Sequence, residues 1–261
     1  MKNIIIALLL LFSIILNAQQ QLIINSSYLV SPDTVLVFTP DNGELQNAFP
    51  VVYLLHGWAG NYHYWDDIID CQSYANKYNT IIVCPDGLYD SWYINSPAKN
   101  ENDWATFFSW DLAPVIAENY NIQKDSIFVT GLSMGGHGAL YLFETFTEYF
   151  RSAGSLSGLL DLTDWSEHYG ISRILGLSDS ENPEELLKDY SVIWNIEKLK
   201  TSENGIIVSC GTEDSFYNIN IATIDVCKEN DIDVKFISSK GSHNSSYWRS
   251  AIDGHFEFFF K

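Results

Sequence analysis

The fold of this chain is decided by the stretch Ile127-Phe128-Val129-Thr130-Gly131-Leu132-Ser133-Met134-Gly135-Gly136. It begins as an apolar, strand-like run, continues through a Gly-x-Ser-x-Gly turn, and leads into a helical pattern that starts at Gly136. A strand that turns this sharply into a helix lifts the serine above the end of a sheet, in a strained conformation that small neighbouring residues permit. The stretch therefore predicts Ser133 as a nucleophile at the edge of an α/β sheet.

Outward from this motif, apolar strand-like runs alternate with longer helical stretches. Runs such as 51–55, Val-Val-Tyr-Leu-Leu, are continuously apolar, which is expected when helices cover both faces of a parallel strand. The pattern predicts one α/β domain over residues 19–261, with a mostly parallel, doubly wound sheet flanked by helices. Pro114 predicts that the helix containing it bends or restarts near Ala113. The predicted strands are 34–38, 51–55, 80–84, 126–130, 152–156, 206–210 and 234–238, and the predicted helices are 64–78, 104–120, 136–150, 183–199, 217–230 and 247–260.

A serine hydroxyl needs a base and an orienting acid, and in a strand-turn-helix arrangement of this kind they follow the serine in the order acid, then histidine. Asp214 is the predicted acid, because it follows the apolar run 206–210 and active-site loops gather at the carboxyl ends of parallel strands. Glu213, Asp161 and Asp164 are alternatives for the same role.

The predicted base is His243, which follows the last apolar run. Small residues precede it and leave room for the imidazole to reach Ser133. The other histidines fit less well, because they precede the serine, lie on helices or lie in unrelated loops. These are His56, His63, His137, His168 and His255.

An acyl-transfer transition state carries a negatively charged oxygen, which backbone N–H groups can bind as an oxyanion hole. The N–H of Met134 is one predicted donor, because it begins the helix after Ser133 and has no partner within that helix. The other is the N–H of Trp58, in the loop that follows the run 51–55. Gly57 lets this loop approach a bound carbonyl closely, and His56 is predicted to fix the loop rather than to react.

Composition indicates which partners the protein can bind, and its first residues indicate its cellular location. The chain has 33 acidic and 14 basic residues, a formal net charge of -19, and no cluster of Lys and Arg, so nucleic acid is not an expected partner. Lys2, the apolar run 4–16 and Ala18 predict a signal peptide over residues 1–18 and export to the periplasm or the medium. No run is long and apolar enough to span a bilayer, so no stable membrane insertion is expected after cleavage.

The four cysteines, Cys71, Cys84, Cys210 and Cys227, lack the close spacing of a zinc site or a C-x-x-C pair, and their predicted role is structural. Three disulfide connectivities are possible in an oxidising compartment. No metal or organic cofactor is called for, because the serine, the histidine and the backbone donors supply nucleophile, base and electrophile. The sequence leaves the oligomeric state open.

Together these residues resemble the "Putative esterase" or esterase D family of α/β-hydrolases, which includes feruloyl, acetylxylan and tributyrin-type esterases, S-formylglutathione hydrolase and mycolyltransferases. The resemblance covers nearly all of the chain after residue 18, and it implies the α/β-hydrolase fold and the roles of nucleophile, acid and base for Ser133, Asp214 and His243. Asn244 departs from the family, in which many members carry Asp after the histidine. The matching segments are Tyr53-Leu54-Leu55-His56-Gly57, Pro85-Asp86-Gly87, Gly131 through Leu140, Gly211-Thr212-Glu213-Asp214 and Gly241-Ser242-His243 with Tyr247-Trp248.

Candidate substrate-binding residues are Gly57, Trp92, Asn95 and Trp248, although packing in the core is the more common role for aromatic residues. The sequence favours an exported serine carboxylesterase that cleaves short acyl, acetyl or feruloyl esters of polysaccharides or small molecules through an acyl-serine intermediate. Three alternatives remain: a broad tributyrin-type esterase, an acyltransferase to a sugar, and a binding protein on the same fold without catalysis. Further aromatic candidates are Tyr62, Trp65, Trp104, Trp110 and Trp165.

Overall fold

The computed structural model describes residues 19–41, 47–99, 101–201 and 205–261, so the predicted signal peptide lies outside the described residues. Within them, eight strands form one sheet in the order β1-β2-β4-β3-β5-β6-β7-β8. Strand β2 runs antiparallel to both of its neighbours, and the strands from β4 to β8 pair in parallel. The strands are β1 Gln19–Ile24, β2 Asp33–Phe38, β3 Phe49–Leu55, β4 Ile81–Pro85, β5 Ile122–Leu132, β6 Ser152–Leu156, β7 Ile206–Gly211 and β8 Val234–Ser239. The predicted mostly parallel, doubly wound sheet is confirmed.

After β3, helices lie between all successive strands of the chain. They are α1 Tyr64–Ile68, α2 Cys71–Tyr78, α3 Trp104–Phe107, α4 Ala113–Asn119, α5 Met134–Thr145, α6 Ile171–Ile174, α7 Pro183–Asp189, α8 Val192–Asn195, α9 Tyr217–Glu229 and α10 Ser245–Phe259. A π-helical turn, Phe108–Leu112, joins α3 to α4, and short 3₁₀ turns span Thr163–Trp165, Leu177–Asp179 and Ile196–Thr201. None of the helices in the described part of the chain has the length and hydrophobicity needed to cross a bilayer.

Helices cover both faces of the sheet, as the continuous apolar strands predict. On β3, Val51, Tyr53 and Leu55 point into one core, while Val52 and Leu54 point into a second core on the opposite face. The first core includes residues of α3 to α5, and the second includes residues of α1, α2 and α10. All five of these β3 side chains are buried, so the strand has no solvent-facing side.

Several boundaries differ from the prediction for local physical reasons. The predicted helix 64–78 is two helices, because Ile69 is extended and Asp70 starts a new helix by accepting a hydrogen bond from the Ser73 N–H. The predicted helix 104–120 widens into the π turn just before Ala113. Pro114 has no N–H to donate and its ring crowds the carbonyl one turn earlier, so the irregularity lies where the sequence predicts it. The predicted helix 183–199 divides into α7, α8 and a 3₁₀ turn.

Strand β1 is absent from the sequence prediction. Its sequence, Gln-Gln-Gln-Leu-Ile-Ile, is polar at the start, and its side chains alternate between exposed and partly buried. It is the edge strand of the sheet and pairs only with β2, antiparallel over six residue pairs. The strand forms because β2 offers it a hydrogen-bonding edge, rather than because its residues are strongly apolar.

Candidate active site

Ser133 lies at the turn between β5 and α5. Its backbone has φ 55° and ψ −118°, a strained conformation for a residue with a side chain. The Ser133 N–H donates to the Leu156 carbonyl on β6, at 2.9 Å. Helix α5 packs so closely on the end of β3 that a methyl group on Gly135 would collide with the carbonyl oxygens of Leu55 and His56. The turn therefore requires glycine at this position, and it presents the serine at the carboxyl edge of the sheet.

The structure brings Ser133, His243 and Asp214 together from three loops. His243 Nε2 lies 2.9 Å from Ser133 Oγ. On the other side of the ring, His243 Nδ1 lies 3.1 Å from Asp214 Oδ1 and 3.0 Å from Oδ2. The three side chains span 110 residues of sequence and form one continuous chain of hydrogen bonds.

The alternative acids are engaged elsewhere. Asp161 accepts hydrogen bonds from the backbone and hydroxyl of Thr163, and Glu213 lies at the surface, 3.7 Å from the ammonium group of Lys240. Asp164 is exposed on the turn Thr163–Trp165. Of the four acids that the sequence offers, Asp214 is the one that contacts His243.

The environment of Asp214 favours its charged form. Burial acts to raise the pKa of this carboxyl group, but the hydrogen bond and charge of His243 and the N–H of Phe216 outweigh it, so the pKa lies below its usual value. The nearby Ser157 hydroxyl contributes in the same direction. Ser157 follows β6 with a positive φ of 51°, and sequence reasoning missed it. Its position directly after a strand was the available signal.

Two aromatic rings flank the imidazole of His243. Phe216 lies edge-on to it at 4.7 Å between ring centroids, and Trp248 lies perpendicular to it at 5.0 Å. Trp165 contacts Phe216 at 4.9 Å, and Tyr169 contacts both of these rings. We call Phe216, Trp248, Trp165 and Tyr169 the aromatic surround. Sequence reasoning missed Phe216 and Tyr169. Phe216 stands two residues after the predicted acid, which was a usable signal.

Both predicted oxyanion donors lie on backbone that faces the serine turn. Leu55 of β3 pairs with Gly131 of β5, so the loop after β3 runs beside the Ser133 turn. A methyl group on Gly57 would lie 3.3 Å from Ser133 Cβ. Within the described part of the chain, neither the N–H of Trp58 nor that of Met134 has a hydrogen-bond acceptor. That both groups bind an oxygen held at Ser133 stays a prediction.

His56 fixes the loop that carries Trp58. Its Nδ1–H donates to the Gly57 carbonyl at 2.7 Å, and its Nε2 accepts from the Gly87 N–H at 2.7 Å. The Tyr93 hydroxyl donates to the His56 carbonyl at 2.9 Å. These bonds require the neutral ring and leave neither nitrogen for catalysis, in agreement with the structural role predicted for this residue.

The remaining histidines lie outside the hydrogen-bond chain. His137 and His255 are buried, and burial lowers their pKa values to about 4 and about 3. His137 Nε2–H donates to the Tyr190 carbonyl, and His255 contacts the hydroxyls of Thr130 and Ser209. His63 and His168 are exposed.

One of the predicted substrate-binding residues is buried inside the protein, and a second is tied into a loop. Trp92 is only 2% exposed, packs against His137, and donates its indole N–H to the Tyr169 carbonyl at 3.1 Å. Asn95 exchanges two hydrogen bonds with Thr106, which occupy both ends of its amide. The expectation that Trp92 contacts substrate is corrected, because the ring is buried and its N–H is bound. Asn95 is partly exposed, and its amide keeps a second N–H, so its contact with substrate stays a prediction.

The other aromatic candidates divide among four environments. Trp65 and Trp104 are core residues that donate their indole N–H groups to the carbonyls of Leu55 and Asp86. Trp110 is exposed on the π turn, whereas Trp165 and Trp248 belong to the aromatic surround. Tyr62 stacks on His63.

Asn244 keeps the helix-capping function that an Asp would perform. Its side-chain oxygen accepts from the Tyr247 N–H at 3.1 Å and caps α10. The four cysteines are buried and free. In the described ranges, no group of three or more His, Cys, Asp and Glu side chains is arranged to hold a metal ion.

Comparison with known proteins identifies the family. A family model described as "Putative esterase" matches residues 26–259. The chain belongs to this esterase family. The acetyl esterase of Caldicellulosiruptor saccharolyticus is 26% identical to this esterase over 224 residues, which are 80% of this chain and 83% of that protein. A diacylglycerol acyltransferase/mycolyltransferase of Mycobacterium leprae is 31% identical over 141 residues, which are 50% of this chain and 42% of that protein.

Solved structures share the fold of the esterase. The fluorophosphonate-binding serine hydrolase FphF of Staphylococcus aureus superposes with a TM-score of 0.82 at 19% identity, covering 94% of this chain and 98% of that one. A ferulic acid esterase superposes with a TM-score of 0.77 at 21% identity, covering 93% and 97%. The predicted α/β-hydrolase fold is confirmed. Family membership also confirms the predicted enzyme class, a serine hydrolase that acts on carboxylic ester bonds.

Proposed function

We propose that this esterase is an exported carboxylesterase that hydrolyses acetyl or feruloyl esters of polysaccharides through an acyl-Ser133 intermediate. One observation carries the proposal: hydrogen bonds of 2.9 Å and 3.0 Å connect Ser133 Oγ to His243 and His243 to Asp214. The free N–H groups of Trp58 and Met134 beside this chain add the electrophilic half of the site.

Acylation begins when His243 Nε2 takes the hydroxyl proton of Ser133 while Oγ attacks the ester carbonyl carbon. Asp214 holds the Nδ1–H tautomer and stabilises the imidazolium that forms. The carbonyl oxygen becomes an oxyanion and accepts hydrogen bonds from the N–H groups of Trp58 and Met134. Collapse of this intermediate breaks the bond to the alcohol, and His243 donates its proton to the leaving oxygen.

Deacylation repeats these steps with water as the nucleophile. His243 removes a proton from water as the oxygen adds to the acyl carbon. The second tetrahedral intermediate expels Ser133 Oγ, which recovers the proton from His243, and the carboxylic acid leaves. Phe216 and Trp248 cover part of the imidazole, and the Asp214 carboxylate is buried, which strengthens the interaction between the two groups.

Two observations support the acyl groups in this proposal. The match to the acetyl esterase covers 83% of that protein, which supports a small acyl group. The partly exposed rings of Trp165 and Tyr169, which pack against Phe216 beside His243, offer edges and faces to an aromatic acyl group such as a feruloyl group. A broad, short-chain esterase of the tributyrin type uses the same machinery. Relative rates on acetyl, butyryl and feruloyl esters of one alcohol distinguish these substrates.

Acyl transfer to a sugar is the second candidate, favoured by the identity of 31% to the mycolyltransferase over half of this chain. It shares the acylation half-reaction and replaces water with a sugar hydroxyl. Product analysis separates the two reactions, because transfer gives a new sugar ester in proportion to added acceptor, whereas hydrolysis gives only free acid.

Export is proposed from residues 1–18, with Lys2 ahead of the apolar run 4–16. N-terminal sequencing of the protein recovered outside the cytoplasm tests it, and a first residue near Gln19 is expected. Recovery of only the uncleaved chain, in the cytoplasm, would contradict this part of the proposal.

The nucleophile is tested by Ser133→Ala. The variant should hydrolyse p-nitrophenyl acetate at least about 10³-fold more slowly than the wild type, because no other group replaces the attacking oxygen. The matched control Ser178→Ala changes an exposed serine and should keep wild-type activity. Circular dichroism shows that both variants are folded. Retention of more than a few per cent of activity by Ser133→Ala would refute the proposed mechanism.

A further inference from the structure

A cavity of about 430 Å³ lies beside the loop that carries Trp58, outside the group of catalytic side chains. Gly60 of that loop forms one side of it, and Leu88 and Tyr89 from the loop after β4 form another. Asp90, Glu101 and Arg173 also line the cavity, and we call these three residues its rim. No step of the acyl transfer uses these side chains, and the cavity is several times larger than an acetyl group.

An exposed aromatic pair joins this cavity to the catalytic group. Tyr89 is 59% exposed and lies edge-on to Trp58, which is 38% exposed, at 5.0 Å between ring centroids. The Ala59 N–H donates to the Tyr89 carbonyl at 2.8 Å, so the two loops are tied together. On its other side, Trp58 contacts Tyr169 of the aromatic surround at 5.6 Å. A substrate whose ester bond lies at Ser133 can therefore extend past Trp58 to Tyr89 and into the cavity.

The cavity combines an apolar face with charged hydrogen-bonding groups. Arg173 Nη2 lies 2.6 Å from Asp90 Oδ1, and Nη1 pairs with Glu101. These pairs hold the carboxylates and the guanidinium in fixed positions on the rim. A ring with vicinal hydroxyls on its edge and C–H groups on its faces matches such a site, because hydroxyls exchange hydrogen bonds with carboxylates and Arg while C–H groups pack on an aromatic ring.

The charge of the cavity lining narrows the class of ligand further. Asp86, Asp90 and Glu101 line the cavity with only one cation, Arg173, and the whole chain carries a formal net charge of -19. An anionic leaving group, such as a thiol peptide with free carboxylates, is repelled from this surface. The surroundings favour a hydroxyl-rich ligand without charge.

We propose that this cavity binds a neutral sugar unit of the polysaccharide that carries the ester, with Tyr89 as the stacking surface. The inference rests on the proposed function, because it assumes that Ser133 attacks the ester bond. It adds the chemical class of the ligand and the location of its subsite, which is formed by the loops after β3 and β4 and by α6.

The test compares two acetyl esters that differ only in the alcohol: ethyl acetate and singly acetylated xylotriose, a neutral sugar trimer. Acetate release is measured for the wild type, Tyr89→Ala and Tyr89→Phe. The matched control is Trp194→Ala, because Trp194 is 56% exposed, similar to Tyr89, but packs under Lys188 away from the cavity. Free xylotriose is also tested as a competitive inhibitor of ethyl acetate hydrolysis.

Tyr89→Ala should lower the ratio of kcat/KM for acetylated xylotriose to that for ethyl acetate by about fivefold to tenfold, the range expected for one lost aromatic contact. Tyr89→Phe and Trp194→Ala should keep the ratio within about twofold, since both retain the ring at position 89. Inhibition by free xylotriose should weaken in Tyr89→Ala by a similar factor.

An unchanged ratio in Tyr89→Ala, or equal losses on both esters, would overturn the sugar subsite. This failure is distinguishable from a failure of the proposed function. If Ser133→Ala is inactive on both esters while the Tyr89→Ala ratio stays at the wild-type value, the esterase mechanism holds and only the subsite is wrong. If Ser133→Ala remains active, the proposed function itself is wrong.

Discussion

At the scale of single residues, the site depends on the backbone as much as on side chains. Ser133 holds φ 55°, which costs about 1–3 kcal/mol for a residue with a side chain, and it persists because neighbouring groups leave no alternative. Its N–H is bound to Leu156, and the chain on either side is packed against β3. The strain aims Oγ at His243 and leaves the next N–H, that of Met134, unbound.

The role of the Trp58 N–H can be separated from that of its ring. Trp58→Pro removes both, whereas Trp58→Ala removes only the ring. Because one oxyanion donor is typically worth about 10²–10³ in rate, Trp58→Pro should have a kcat lower than that of Trp58→Ala by about that factor on p-nitrophenyl acetate.

This pair is informative because the Trp58 N–H has no acceptor within the described chain, so proline breaks no native hydrogen bond there. Thermal unfolding of both variants controls for damage to the loop. Equal kcat values in two folded variants would show that the second oxyanion donor is another group.

At the scale of elements, the contact between α5 and the end of β3 determines whether the site can form. Gly135 is the point of closest approach, and the obstacles to a side chain there are backbone carbonyl oxygens, which cannot move aside without disturbing β3. Other glycines face softer neighbours. On α10, a methyl group on Gly254 would meet only the end of the Ile237 side chain, at 2.6 Å.

Gly135→Ala and Gly254→Ala should therefore differ strongly in their effect on stability. Gly135→Ala should lower the free energy of unfolding by about 3 kcal/mol or more, as overpacking against rigid backbone does. Gly254→Ala should change it by less than about 1 kcal/mol, because the helix propensity gained by alanine offsets a small shift of Ile237. Urea unfolding measures both. Similar stabilities for the two variants would show that β3 and α5 can separate without cost.

His255 connects three elements, since this residue of α10 contacts Thr130 of β5 and Ser209 of β7. Burial lowers its pKa from 6.5 to about 3, so the ring is neutral in the folded protein but binds a proton in the unfolded chain below pH 6.5. Folding stability linked to this ring is fully present above pH 6.5. It is lost as the pH falls toward the folded-state pKa, by at most about 1.4 kcal/mol per pH unit.

The linkage is measured by urea unfolding at pH 7 and pH 5 for the wild type and His255→Gln. The variant should be less stable at pH 7, because it loses a buried hydrogen bond. Between these two pH values, however, it should lose about 2 kcal/mol less stability than the wild type. Carboxylates and His137 titrate in both proteins and cancel in the comparison. Identical pH dependence in the two proteins would mean that His255 is not the group that takes up the proton.

At the scale of the whole molecule, residues 157–182 connect the aromatic surround to the loop after β4. They supply Trp165 and Tyr169, and Arg173 ties them to Asp90 and Glu101 on the other side. The indole of Trp92 donates to Tyr169 from below. The aromatic surround is thus held by contacts between segments that are far apart in the chain.

The net charge of -19 also acts on the whole molecule. Like charges repel one another more strongly in the compact state, and salt screens this repulsion. Raising NaCl from about 10 mM to about 200 mM at neutral pH should therefore raise the Tm by about 2–5 °C. Near the isoelectric point, the same addition should leave the Tm nearly unchanged. A Tm that falls with salt at neutral pH would show that ion pairs such as Arg173 with Asp90 outweigh the repulsion.

The sequence alone was sufficient for the architecture and for the three side chains that the structure joins. The strand-turn-helix pattern at Ser133 and the continuous apolar strands are local signals, because they arise from turn chemistry and from periodicity within a few residues. Asp214 and His243 could be selected because the carboxyl ends of parallel strands meet at one edge of the sheet. Once the strands were identified, this rule predicted from the sequence that residues far apart in the chain lie close together.

Only the tertiary structure decided which other side chains reach the site. Trp92 has suitable chemistry, but it is buried against His137 and its indole N–H donates to the Tyr169 carbonyl. Strand β1 forms because the edge of β2 is open to it, although its own residues are weak strand signals. The position of Tyr169 and the cavity beside Tyr89 were likewise decided only by the tertiary structure. In each case the outcome depends on contacts between distant segments, which no local pattern of residues contains.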